Sequence, residues 1–103
     1  MKLHILNITF YTNIDDKDNE EYEWDESYPF LSRRDAISAM SMFVLPFVQN
    51  NDDNAYEIMF NPIEGEAYIA IPNYDGERCG MWVLNIDEAY TIDINWYFIK
   101  III

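Results

Sequence analysis

An α+β fold, with an antiparallel sheet of four to five strands packed against one main helix, follows from three observations. One stretch only, Ser32 to Gln49, carries apolar residues at helical spacing. The other apolar runs alternate as strands do, and turn residues separate them closely. With 103 residues the chain has material for a single acidic domain, 1–103, and a modest core. Short connections predict mainly antiparallel pairing of neighbours, with the helix covering one face of the sheet.

Leu3 to Thr12 is predicted as the first strand. Leu3 and Ile5 share one parity, while Leu6, Ile8 and Phe10 share the other. Both sides are largely apolar, which predicts a central place in the sheet.

Asp15 to Glu26 follows, with eight acids and one base, Lys17. Over half of the chain's net charge therefore falls in this one segment. From Glu21 onward it alternates: Glu21, Glu23 and Asp25 have one parity, Tyr22, Trp24 and Tyr28 the other. In an extended chain such spacing puts carboxylates on one side and rings on the other. The segment is predicted to be a loop or an edge strand, with its rings held against the body and its acids displayed. Pro29 ends it, and Phe30 or Leu31 is the expected apolar staple before the helix.

Ser32 is the expected N-cap, with Asp35 three positions on where a capping acid stands. Arg33 and Arg34 do not suit the positive end of a helix, so pairing with acids or exposure to solvent is expected of them. Ile37, Met40, Val44 and Phe47 form the inward face, widened by Ala36, Ala39 and Phe43. Met42 and Leu45 fall on the opposite side beside Ser38 and Ser41. That side has too little charge for a surface helix. Either it is covered in turn or it meets a partner, and burial is the expectation. Pro46 is expected to kink the last turn or stop the helix near Leu45.

Ala55 to Phe60 and Ala67 to Ile71 are predicted as a hairpin around Asn61–Gly65. Pro72 to Gly80, with Asp75-Gly76, is a second turn region. Met81 to Ile86 is the next strand, and Asp87-Glu88 begins a short turn. The last strand is Tyr90 to Ile103. Its isoleucine-rich end is prone to aggregate if unpaired, so it is expected inside the sheet.

The composition excludes more functions than it supports. Nineteen acids against six bases give a net charge of -13. Such a chain is repelled by nucleic acid and by anionic membranes, and attracted to basic surfaces. One cysteine, Cys79, allows no intramolecular disulfide and fits a reducing compartment. No apolar run is long enough to span a bilayer, and the first residues lack the core of a signal peptide. The cytoplasm is the expected location.

Catalytic signals are weak. His4, the only histidine, has no sequence neighbour to orient it as a base. Cys79 beside Arg78 lacks a base as well. Zinc-type sites need more His and Cys than this chain has. Asp16, Asp18 and Glu20 are evenly spaced, but the glycine and the terminal glutamate of a calcium loop are missing. No enzyme activity and no cofactor or metal are expected.

Recognition remains. The expected partner-binding residues are Asp15, Asp16, Asp18, Glu20, Glu21, Glu23, Asp25 and Glu26, with Tyr22, Trp24 and Tyr28 as aromatic anchors, and Asp52 and Asp53 after the helix. Carboxylates in this density either imitate the phosphates of a nucleic acid or clamp Lys and Arg around a basic cleft. The expected function is a non-enzymatic inhibitor of a basic, nucleic-acid-acting protein. An immunity protein that neutralises a nuclease toxin is favoured, because the acids are concentrated in one segment. A viral anti-defence protein imitating DNA against a restriction or RNA-guided nuclease shares the same electrostatics. An assembly role, as a homodimer or in a larger assembly, through the apolar back of the helix (Met42, Leu45) and the isoleucine-rich end, is the alternative of a different class.

Overall fold

A computed structural model describes residues 2–12, 21–52, 55–72, 78–90 and 101–102. Its elements are β1 (Lys2–Thr12), β2 (Glu21–Phe30), α1 (Arg33–Gln49), β3 (Glu57–Asn61), β4 (Glu66–Pro72), β5 (Arg78–Tyr90) and the two-residue β6 (Ile101–Ile102). Five main strands lie in the order β2-β1-β5-β4-β3, every described pairing is antiparallel, and α1 packs on one face. This is the α+β architecture expected.

The pairing is not a plain meander. β3, β4 and β5 follow one another across the sheet, but β5 then pairs with β1 over eleven positions, from Lys2↔Tyr90 to Thr12↔Gly80. β1 is thereby internal, flanked by β2 and β5, as its two apolar faces require. Its even positions, Leu6 and Ile8, join Met40, Val44, Ala67, Ile69 and Leu84 in the core under the helix. Its odd positions, Leu3 and Ile5, are buried with Ala89 on the other face.

The length of β1 also explains a misread turn. Asp87 and Glu88 do not turn the chain; β5 runs on to Tyr90 because β1 offers a partner along its whole length. Asn7 Nδ2 donates to Asp87 Oδ2 at 2.7 Å, and Lys2 Nζ lies 3.0 Å from Glu88 Oε1. Both acids are therefore engaged from the strand. Beyond Tyr90, residues 91–100 lie outside the described residues, so the body of the expected last strand does too. Its end, Ile101–Ile102, pairs with β5 at Tyr90 and Ala89. Cys79 falls within β5, not in the turn region where the sequence puts it. The Asp75-Gly76 turn signal lies outside the described residues.

The helix starts as its cap predicts. Ser32 is extended, and its Oγ accepts from the Asp35 N–H at 3.1 Å. Such a cap contributes about 1 kcal/mol. Phe30 packs on the core and Leu31 is exposed, so Phe30 is the apolar contact at this entry. Arg33 and Arg34 are both exposed, and the Arg33 Nη2 donates to carbonyl oxygens, Ile63 O at 2.7 Å and Pro62 O at 3.3 Å. This ties the first turn of α1 to the β3–β4 turn. That turn is built on Asn61, whose Oδ1 accepts from the N–H groups of Ile63 and Glu64, and on Gly65 at φ 71°. A β-carbon there would be strained by that backbone and would lie 3.2 Å from Arg33 Nη2.

Ala36, Met40 and Val44, spaced by four, are the buried line of α1. Pro46 does not stop the helix, which continues to Gln49. In the last turn Pro46 forfeits one hydrogen bond only, and its own carbonyl accepts from both the backbone and the side-chain amide of Asn50. The expected burial of the second side is overturned. Met42, Leu45 and Val48 are exposed, because α1 sits alone on its face of the sheet and the described residues include no element above it.

Candidate functional site: an apolar groove beside an acidic edge strand

β2 forms one edge of the sheet: among the described residues it pairs with β1 alone. The acidic segment is thus an edge strand where described, in line with its alternation. The register sets Trp24 opposite Phe10, Glu26 opposite Ile8 and Tyr28 opposite Leu6, all on the helix side. Asp25 and Ser27 stand opposite Thr9 and Asn7 on the other side.

The helix does not cover β2 fully. Between them runs an apolar groove of about 450 Å³. Leu6, Ile8 and Trp82 floor it, Ala39, Met42 and Phe43 form the helix wall, and Trp24, Tyr28 and Phe30 the strand wall. Ala39 is small at a position where a larger side chain would fill the space. The floor is stiffened by ring contacts: Phe10 and Trp82 have centroids 4.7 Å apart, and Phe43 meets Trp82 edge-on at 5.2 Å. Phe10 in turn lies over Gly80, where an added β-carbon would come within 2.8 Å of the ring.

The rings of β2 are less pinned than the sequence predicts. Trp24 is 48% and Tyr28 42% exposed, and Met42 across the groove is 71% exposed. Together they make an apolar strip in contact with solvent, with Glu26 between the two rings of β2 on the same side. Asp25 is exposed and accepts from Thr9 Oγ1 at 3.4 Å. Glu26 is half-buried and accepts from the Tyr28 hydroxyl. Ser27 Oγ donates to Asn7 Oδ1 at 2.6 Å, and Asn7 in turn donates to Asp87. A polar chain thus stitches β2 to β1 and β5 on the helix-free face.

The alternation does not extend to the start of β2. Tyr22 stands opposite Tyr11 and Glu21 opposite Thr12, so Glu23 is the extra residue of a bulge. The uniform row expected of Glu21, Glu23 and Asp25 is broken there. Nothing in a single sequence marks a bulge at this point.

The other expected residues divide as follows. Asp15, Asp16, Asp18, Glu20 and Asp53 lie outside the described residues. Asp52 is exposed in the connection from α1 to β3, where Asn51 and Tyr56 are joined by two hydrogen bonds. β3 is the edge opposite β2, so Asp52 and the acids of β2 belong to opposite ends of the strand order. The sequence marks Met42 as part of an apolar side of α1 that could meet a partner, since residues 36–51 contain no charged residue in a chain of net charge -13, but it does not place Ala39, Met42 and Phe43 beside β2.

His4 is half-buried in β1 between Phe30 and Glu88 in register, and its Nδ1 has no hydrogen-bond partner. No group of three His, Cys, Asp or Glu side chains among the described residues is arranged to hold a metal ion. No helix among them is long and apolar enough to cross a membrane. Comparison with protein-family models, with curated proteins and with solved structures finds no match. The reading of this surface rests on its own residues.

Proposed function

We propose that the chain is a non-enzymatic binding protein that captures a basic protein partner. The single observation that supports this is the β2 edge: an acid-rich strand, with Asp25 and Glu26 among its described side chains, holds two half-exposed rings beside an apolar groove. An apolar and aromatic centre with a charged rim is the usual anatomy of a protein interface. A net charge of -13 selects a basic partner and speeds its approach. Proteins that act on nucleic acids have basic sites for the same electrostatic reason. Inhibition of such a protein, by an immunity protein against a nuclease toxin, is the function favoured. The grouping of four acids within six residues of β2 supports it over imitation of a long duplex, which calls for charge spread over a whole face.

A second reading has its own observation. Met42, Leu45 and Val48 form an exposed apolar stripe on α1, and a second copy of the chain would cover it.

The test is retention from host lysate at low salt, with the wild type and a variant carrying Glu21→Ser, Glu23→Ser and Asp25→Ser as baits. A basic nucleic-acid-acting protein held by the wild type, eluted by salt and lost by the variant is the expected result. Equal retention by both baits would move the interface away from β2. Retention of nothing basic, with a dimer that survives dilution in gel filtration, would replace this function by assembly.

A further inference from the structure

We propose that the partner segment recognised here is an extended, basic strand that adds to the edge of β2 that no described strand pairs. The inference rests on the basic-partner reading above and specifies its geometry.

β2 has ten residues, twice the five of β3 at the other edge. On an edge strand, alternate backbone N–H and C=O groups point outward and accept a further strand. Which strand is accepted depends on charge. A second copy aligned on this edge would bring Glu21, Glu23, Asp25 and Glu26 against the same residues, and like charges on neighbouring strands repel. Those carboxylates therefore oppose self-pairing and favour a strand rich in Lys or Arg. Specificity follows from the sides of β2. On its helix side, Trp24 and Tyr28 are half exposed and border the groove, so an apolar residue of the incoming strand has a surface to cover. Glu26 lies between them in the strand and offers a carboxylate to a neighbouring cation. On the other side, Asp25 is exposed. The sequence that fits alternates basic and apolar residues at a strand period. A helix laid in the groove would make no use of the edge.

The probes are three synthetic peptides matched to the ten residues of β2. The first alternates lysine and leucine. The second has the same charge but two leucines replaced by proline, which removes edge-pairing N–H groups. The third has the composition of the first, reordered to a helical period. The first is expected to bind at least ~10-fold more tightly than either of the others, a difference of about 1.4 kcal/mol. It is also expected to slow hydrogen exchange of outward-facing amides in residues 21–30. Equal binding of all three peptides, lost together in the variant bearing Glu21→Ser, Glu23→Ser and Asp25→Ser, would overturn strand addition while leaving the basic-partner reading intact. Strongest binding by the helical isomer would overturn strand addition in favour of a helix in the groove. Binding by none of them at low salt would overturn both.

Discussion

Changing Trp24 to Ala is expected to weaken capture of the basic partner by about 2–4 kcal/mol, or roughly thirty- to a thousand-fold, with little loss of stability. Trp24 is half exposed on an edge strand, so the core under α1 does not depend on it. It nevertheless has a large ring and a fixed backing at Phe10, which suits it to anchor a partner. The measurement is affinity for the retained partner, beside thermal unfolding of the free protein. Ile63→Ala is the control. Ile63 is 84% exposed in the β3–β4 turn, away from β2, and its truncation should alter neither quantity. Equal affinity of the Trp24→Ala protein and the wild type would remove the aromatic centre from the interface.

Changing Met40 to Ala is expected to have the largest effect on the fold. Met40 is fully buried, and α1 is the one described element covering its side of the sheet. The truncation removes packing from the core cluster that Met40 shares with Leu6, Ile8, Ile69 and Leu84 and leaves a cavity, at a cost of about 2–5 kcal/mol. For a domain of this size, that lowers Tm by at least ~10 °C. Met42→Ala is the paired measurement. Two positions along, this Met is 71% exposed, and its truncation should cost less than ~0.5 kcal/mol. Similar losses for the two would mean that the second side of α1 is covered in the free protein. Met42→Ala should instead be felt in partner affinity, because Met42 lines the groove.

The pair also shows what periodicity conveys and what it leaves out. Spacing separates Met40 from Met42 and puts them on opposite sides of a helix. It does not say how many layers the molecule has. The absence of charge around α1 predicts burial on both sides, yet Met42, Leu45 and Val48 are exposed and no described element covers them. The cap at Ser32 and the turn at Asn61–Gly65 were legible because each depends on a few adjacent residues. The continuation of β5 through Asp87-Glu88 was not, because it depends on β1, more than seventy residues away in sequence.

The site was legible in the same uneven way. Alternating acids and rings from Glu21 to Tyr28 point to a loop or an edge strand, and among the described residues β2 is an edge strand. The groove was hidden in the sequence, since it needs α1 and β2 side by side with Ala39 between larger residues. The bulge at Glu23 was hidden as well. It arises from a register shift between Phe10 and Tyr11 on the partner strand.

The central claim is that carboxylates on and around β2 draw in and hold a basic partner. It is tested most directly by the association rate of the purified partner, measured against salt for the wild type and for the variant with Glu21→Ser, Glu23→Ser and Asp25→Ser. Electrostatic steering predicts that the wild-type rate falls at least ~10-fold between about 0.05 M and about 0.5 M salt. The variant should begin lower and fall less steeply. A wild-type rate independent of salt, or a variant indistinguishable from it, would contradict the claim.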